Sequence, residues 1–440
     1  MRPVDPLGLP RRPDHRRPIC GLPILTRGAS ERDAPPTGSL HTVPLPTRST
    51  DSVPRLLNQI LWPLAIMTVI HRVLIKAVNG SITNDFGTVY AATRRFLAGE
   101  PVYSENLLTV QPHYLYAPSG TFLLAPFGVI DNYTVARWLF ILLNTAAIIA
   151  ALWLLMRLFD LDVRSFAAPA ILLGAFCTEA VTNTLVFTNV NGVIFLCQVA
   201  FLYLLYRRRL WWAGVAMGLS LAIKPMLAPL LVLPLIRRQW QPFVAALAIP
   251  AAAMAAGWAL TVDAGRYLEV TAPYMSEVRD YYNSSIAGLG LYYGVPEPLI
   301  LVARILIVVA TLLAVYLLLD YRHNHEVLWL ATTSGVILTG VFLVSSLGQM
   351  YYSMMLIPIM LTVVLDKSFV RNWPAWLAAY GFFTLDFWES ARWPYYGRLL
   401  EFAHPTLGWL LLLCTVLTIL LWRRTDPRRH ERIAPAAAAA

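Results

Sequence analysis

The chain has 440 residues, of which 57% are hydrophobic and 14% charged; a soluble domain carries roughly 45–50% apolar and about 25% charged residues. With a mean hydropathy of +0.57, this excludes an ordinary soluble enzyme, a disordered protein and a fibrous one, and leaves a polytopic all-α membrane protein. The formal charge is +10, and the arginines sit in gaps between apolar runs, so the positive-inside bias explains the charge better than nucleic-acid binding does.

Residues 1–54 hold 11 of the 31 prolines and no long apolar run. They cannot bury a core and read as a disordered cytoplasmic tail. They lack the basic region, apolar run and small-residue cleavage site of a signal peptide. Residues 423–440 read as a second cytoplasmic tail, with Arg423, Arg424, Arg428, Arg429 and Arg432 ahead of five alanines.

Between the tails, 55–422 carries thirteen apolar segments: 55–78, 119–130, 134–156, 165–178, 188–206, 211–223, 225–236, 241–262, 298–319, 327–345, 350–366, 373–386 and 406–422. A spanning helix needs roughly 20 residues. Arg207–Arg209, Arg237 with Arg238, Arg322, and Lys367 with Arg371 mark cytoplasmic turns. Alternation is consistent from 188 onward and fails by one between 79 and 188, so 119–130 or 165–178 is expected to be re-entrant. The expectation is about twelve spans, within ten to thirteen. Both termini are then cytoplasmic, and 79–118, 263–297, 346–350, 387–405 and the turns at 180–190 and 223–226 lie outside. These outer stretches carry the unusual residues.

No GxxxxGK[ST] loop, HExxH, GxSxG or paired-His metal spacing is present, so neither a nucleotide nor a metal is expected. The four cysteines, Cys20, Cys177, Cys197 and Cys414, have no CxxC spacing, which argues against a disulfide framework or zinc site. Any high-energy donor must reach the protein from within the membrane.

Six stretches carry candidate chemistry. In Asn79–Phe86, Asp85 is a candidate general base at an outer helix end, where partial burial raises a carboxyl pKa; Asn84 or Asp85 capping a helix over 86–98 is the alternative. In Gln111–Gly120, His113, Tyr114 and Tyr116 suit a sugar and an anion, or an interfacial aromatic belt. Lys224 sits between two apolar segments, where a lysine costs roughly 2.5–3.5 kcal/mol at a helix centre; it reads as a phosphate ligand or a snorkelling side chain. In Glu277–Ser285, Arg279, Asp280, Tyr281 and Asn283 can hold a phosphate and a sugar ring, or form a salt-bridged loop. Gln349 and Tyr352 in Gln349–Ser353, and Asn191 in Thr188–Gly192, put amides where a lipid-facing helix puts none; interhelical bonding also explains them.

In this order, these pieces resemble the glycosyltransferase C (GT-C) superfamily, and within it the actinobacterial polyprenyl-phosphate-sugar-dependent enzymes, most of all the α-(1→3)-arabinofuranosyltransferases that branch cell-wall arabinan. The resembling stretches are Ile82–Phe86, Pro112–Tyr116, Leu185–Asn189, Lys224–Pro225, Arg279–Tyr281, Asn283–Ser285, Tyr351–Met355 and Arg371–Leu377, spread over about 55–422. The resemblance implies a GT-C fold with short outer-face interfacial helices, and a plasma-membrane enzyme with its active site on the outer (periplasmic) face. It implies decaprenyl-phosphoryl arabinose as donor, and the arabinan of arabinogalactan and lipoarabinomannan as acceptor. It implies inversion at the anomeric centre with no cofactor beyond the lipid-linked substrate.

On this reading Asp85 is the base, with Asp280 its competitor. Lys224, Arg279 and His113 hold the donor phosphate. Asn84, Tyr114, Asn191, Asp280, Tyr281, Asn283, Gln349 and Tyr352 line the sugar and acceptor sites. The alternatives are a polyprenyl-phosphate-mannose-dependent mannosyltransferase, and a lipid-linked sugar transporter or flippase. A transporter would predict internal repeats with broken helices in matching halves, and the sequence shows none.

Overall fold

The computed structural model describes residues 52–80, 84–109, 111–384 and 387–425. The unit Met1–Ser49 lies outside the described residues, and everything described belongs to the unit Thr50–Ala440. The expected tails 1–54 and 423–440 therefore fall almost wholly outside the description, as do Ile82 and Thr83 of the resembling stretch.

Among the described residues every regular element is helical. Six helices are long and apolar enough to cross a membrane: Val53–Ala77, Tyr133–Leu158, Trp240–Leu260, Glu297–Tyr321, Glu326–Val344 and Pro394–Thr425. A seventh candidate is the pair Ala167–Cys177 and Glu179–Val186, bent by 62°. Four shorter apolar helices, Asn191–Tyr206, Leu210–Ile223, Pro225–Ile236 and Met350–Val364, complete the apolar framework. Each of the thirteen apolar segments is thus largely helical. The two expected re-entrant candidates are both short: one is bent at Thr178, and the other is Pro118–Leu124 continued by Ala125–Val129.

The last helix corrects the expected boundary. Residues 394–405, read as outer loop, are its first turns, and Pro405 lies inside it. Beside that proline, His404 Nδ1 bonds the Gly381 carbonyl of the adjoining helix Trp373–Phe383.

Some helix starts carry side-chain caps. Asn132 Oδ1 accepts from Val135 N at 3.1 Å, and Asn372 Oδ1 from Ala375 N at 3.0 Å. Glu326–Val344 is central, buried nearly all round, whereas Glu297–Tyr321 leaves most of its surface outward. Polar groups join the centre: Gln198 donates to Ser334 Oγ (3.2 Å) and the Met355 carbonyl (2.9 Å), and Trp409 donates to Ser353 Oγ (2.9 Å). Such interhelical bonds contribute about 0.6–2 kcal/mol each in membranes.

Small residues let backbones close along the helix that ends at Lys224. A Cβ on Gly214 would meet the Pro242 carbonyl at 2.5 Å, and the Pro118 backbone stands where a Cβ on Gly257 would go. Helix Leu210–Ile223 therefore seats against Trp240–Leu260, which in turn seats against Pro118–Leu124. Ser119 Oγ completes the seam by donating to the Ala222 carbonyl at 2.7 Å.

Candidate active site

The site starts from a helix cap. Asn84 is the N-cap of helix Asp85–Ala98, its Oδ1 accepting from Gly87 N (2.9 Å) and from the Tyr133 hydroxyl (3.0 Å). The cap role therefore belongs to Asn84, and the Asp85 carboxylate is not used for it. Asp85 N donates to the Phe187 carbonyl at 2.8 Å, which pins the residue to the turn that leads into Asn189 and Asn191.

That turn is strained and tied down. Thr188 sits at φ +52°, a region β-branched residues rarely enter, at a cost of about 1–3 kcal/mol. Its Oγ1 donates to the Leu185 carbonyl at 3.2 Å, and Asn189 Oδ1 accepts from Asn191 N at 3.1 Å. Arg137 fastens the entry from below. It donates to the carbonyls of Ala77 (2.7 Å), Val78 (3.1 Å) and Val186 (3.3 Å), joining the end of the first span to the same turn.

Lys224 is held at the break between Leu210–Ile223 and Pro225–Ile236, outside both helices. Its backbone is extended (φ −138°, ψ 117°), as the following Pro225 requires. Nζ donates to Asn191 Oδ1 at 3.0 Å and lies 5.8 Å and 5.7 Å from the ring centroids of Tyr116 and Tyr352. Such contacts favour the cation, by up to about 2 kcal/mol when desolvated.

Asp85 and Lys224 share a field rather than a direct ion pair. Both are half-buried by surface yet lie deep among protein atoms, so they line a recess. Burial pushes the Asp85 carboxyl above the usual carboxylate range; Lys224 and the Asn189 side chain partly oppose it. Burial pushes the Lys224 ammonium down to about 8, with Asp85 opposing. The field of Asp85 also reaches Tyr116, Tyr351 and Tyr352. The Asn189 side chain is turned toward the Asp85 carboxylate, whereas Asn191 Nδ2 is a buried donor with no partner among the described residues. An unsatisfied buried donor costs about 1–3 kcal/mol, so the Asn191 amide suits a ligand oxygen, while that of Asn189 orients Asp85.

Arg279 stands at the edge of this recess. Its guanidinium lies 5.2 Å from the Tyr274 ring centroid and 5.9 Å from that of Tyr281, and its field reaches Tyr351 and Tyr352. His113 packs edge-on against Tyr274 at 5.5 Å, and its Nε2 bonds the Thr109 carbonyl at 2.9 Å. It stands behind Tyr274, with no contact to Lys224.

The remaining sequence candidates separate. Tyr352 and Asn191 converge with Asp85 and Lys224. Gln349 is half-buried at the start of the Met350–Leu356 turn, three residues from Tyr352. Tyr281 lies beneath Arg279. Tyr114 is in the core, its hydroxyl bonded to Thr121 Oγ1 at 2.8 Å; the neighbouring Tyr116 faces Lys224 in its stead. Asn283 spends its amide on the backbone, donating to the carbonyls of Arg279 (2.9 Å) and Ser346 (2.8 Å) and accepting from Ser285 N (3.1 Å) and Gly348 N (2.9 Å). It clamps the loop that carries Arg279. Asp280 is exposed.

A recess with a basic carboxylate, an ammonium and an unsatisfied amide suits group transfer from an anionic leaving group. Comparison with known proteins then decides the family. Residues 114–346 match the profile of glycosyltransferase family 87. The chain belongs to glycosyltransferase family 87. The α-(1→3)-arabinofuranosyltransferase of Mycobacterium tuberculosis is 47% identical over 392 residues, covering 88% of this chain and 90% of that one. The enzyme of the same description from Mycolicibacterium smegmatis is 46% identical over 88% and 91%. That from Corynebacterium glutamicum is 43% identical over 89% and 94%. As a family 87 member the chain is a glycosyltransferase, and the family match covers Tyr116, Asn189, Asn191 and Lys224.

Sequence reasoning missed Arg137, and it placed Asn189 and Tyr116 in candidate stretches without assigning either to the site. Arg137 had a signal, an isolated arginine inside an apolar helix of 26 residues. Asn189 lay in a stretch already under suspicion. Tyr116 could not be separated from Tyr114, because a loop gives no period by which to assign faces.

Proposed function

We propose that this protein transfers an arabinofuranosyl residue from a polyprenyl-phosphate donor, decaprenyl-phosphoryl arabinose, to the arabinan of the cell wall in α-(1→3) linkage. The observation that carries the reading is the meeting of Asp85 and Lys224 in one recess with Asn191, Tyr116 and Tyr352. The arabinose and the linkage rest on the relatives, α-(1→3)-arabinofuranosyltransferases that this chain matches over about nine-tenths of their length.

The acceptor hydroxyl loses its proton to Asp85 as it attacks the anomeric carbon from the face opposite the phosphate. A base of raised pKa takes that proton more readily. The C–O bond to phosphate breaks with its electron pair, and polyprenyl phosphate leaves as a stable anion, so no strong general acid is required. The anomeric centre inverts. Lys224, backed by Arg279, stabilises the charge the phosphate gains, in a recess where such interactions are stronger than in water. The Nδ2 group of Asn191 donates to a phosphate or sugar oxygen, Asn189 orients the Asp85 carboxylate, and Tyr116 and Tyr352 wall the furanose. Asp280 is exposed to solvent, whereas Asp85 is half-buried in the field of Lys224, which favours Asp85 as base.

The finer fold reading is a GT-C arrangement of about twelve crossings. The bent pair counted once, the four shorter apolar helices and Trp373–Phe383 bring the six long spans to that number. Arg207–Arg209 stand at the opposite end of helix Leu210–Ile223 from Lys224. The positive-inside rule then supports a cytoplasmic position for the arginines and an outward-facing Lys224.

The test is transfer from radiolabelled polyprenyl-phosphate arabinose and polyprenyl-phosphate mannose to a synthetic arabinan oligomer by purified protein, followed by linkage determination. Arabinose in a 3-linked product is expected. Mannose transfer alone would replace this reading with the mannosyltransferase.

A further inference from the structure

A second site is built at the other end of the Lys224 hairpin. Helix Leu210–Ile223 has 14 residues, so its ends stand about 20 Å apart. At the end away from Lys224, three interhelical turns bring Arg208, Arg237, Arg238 and Arg322 around a cavity of about 660 Å³. One carboxylate, Glu326, lines it against these four guanidiniums.

Two of the arginines are braced. Glu326 accepts from Arg208 Nη2 at 2.9 Å with one oxygen and from Arg237 with the other. The Arg237 guanidinium also lies over the buried Trp329 ring, 4.7 Å from its centroid. Arg238 and Arg322 make no ion pair among the described residues, although Arg322 Nε donates to His323 Nε2 at 2.8 Å. The cavity therefore keeps a surplus of positive charge, two of its cations free and two fixed in place.

The backbone carries a second mark. Helices Asn191–Tyr206 and Val232–Ile236 end in the same way. Arg208 N bonds Leu205 O and Arg209 N bonds Leu204 O; Arg238 N bonds Leu235 O and Gln239 N bonds Pro234 O. In each, an arginine occupies the left-handed position, at φ +58° and +55°, where glycine is the ordinary residue. Both ends carry a cation into the cavity at a position where glycine would relieve the backbone.

Exposed Trp211, Trp212 and Trp240 follow these turns directly, and exposed tryptophans mark the membrane–water interface. The cavity thus opens at headgroup level.

We propose that this cavity binds a phosphate-bearing anion, Arg238 and Arg322 supplying the free cations and Arg237, braced by Trp329 and Glu326, the rigid wall. Planar guanidiniums recognise phosphate through paired N–H donors. The anion is presented by an anionic lipid head group or by a soluble phosphate, and the volume accommodates a glycerophosphate.

The experiment uses full-length protein in nonionic detergent and reads the thermal unfolding midpoint. The probes are phosphatidylglycerol, phosphatidylcholine, and sodium phosphate against sodium chloride at equal ionic strength. The variants are Arg238→Gly, which removes the cation while suiting the left-handed backbone, and Arg322→Gln. Arg209→Gln, an exposed arginine outside the cavity, is the control. Phosphatidylglycerol or phosphate is expected to raise the midpoint by several degrees, the rise at least halving in both cavity variants and persisting in Arg209→Gln. A response to phosphatidylglycerol alone assigns the lipid, and one to phosphate assigns the soluble anion. No rise with either probe, or equal rises or equal losses in all three variants, would overturn the proposal.

Discussion

Lys224 Nζ donates to Asn191 Oδ1 at 3.0 Å, and this one bond joins two breaks in the helical framework. One is the Pro225 break that ends Leu210–Ile223; the other is the strained Thr188 turn that starts Asn191–Tyr206. The cation is oriented by an amide whose Nδ2 has no partner among the described residues, and that amide is aimed by the same turn that holds Asp85.

Replacing the cation should separate its role from that of an ordinary loop lysine. Lys224→Ala is expected to lower kcat/KM about 10- to 100-fold, the worth of a charge-assisted bond of about 1.5–3 kcal/mol. Lys367→Ala, beyond the end of the Met350–Val364 helix, should change it little. Steady-state kinetics with the lipid donor is the measurement, and similar small losses in both variants would make Lys224 a snorkelling side chain.

The pH profile follows from the two shifted groups. Asp85 must be ionised, so kcat/KM should rise through a pKa above the usual carboxylate range. Lys224 must stay protonated, so kcat/KM should fall as pH passes about 8. Lys224→Arg keeps its charge at every accessible pH and should move the falling limb upward. A profile flat through pH 9, or a falling limb unmoved in that variant, would contradict the assignment.

The helices were legible because apolar runs in a membrane protein have one outcome, and every one of the thirteen segments became helical. The fate of the short ones was not legible. Length separates a crossing from a re-entrant piece poorly when a run such as 165–178 continues past a bend at Thr178 into Glu179–Val186. Lys224 stood out because its cost in an apolar run demands a reason. Asn283 and Asn191 looked alike as amides in odd places, yet one is saturated by four backbone bonds and the other faces the recess. Only the fold distinguishes a clamp from a ligand.

Arg137 should act on the site from outside it. Arg137→Ala removes the side-chain donor of the Ala77 and Val78 carbonyls and leaves Val186 O only the longer bond from Thr188 Oγ1, at about 1–3 kcal/mol for each group left unsatisfied. The unfolding midpoint should drop, and kcat should fall with it because Asp85 loses its fixed entry. Arg137→Lys should recover part of both. Asn84→Ala should cost only about 1 kcal/mol, the worth of a cap.

Two adjacent tyrosines should behave oppositely. Tyr114→Phe removes a hydroxyl bonded to Thr121 and should lower the midpoint while leaving turnover near normal. Tyr116→Ala removes a ring beside Lys224 and should impair transfer at little cost to the fold. Parallel thermal and kinetic assays decide, and a turnover defect confined to Tyr114 would reverse the placement of the two rings.

The most direct measurement is single-turnover transfer by Asp85→Asn, with donor binding measured in parallel. The amide is isosteric, and the helix keeps its cap because Asn84 supplies it. Expression and donor affinity should be unchanged, while transfer falls by about 10²–10⁴, the contribution of a general base. Asp280→Asn should stay near normal. Near-normal transfer by Asp85→Asn with normal donor binding would contradict the mechanism, and a collapse in Asp280→Asn beside it would move the base to Asp280.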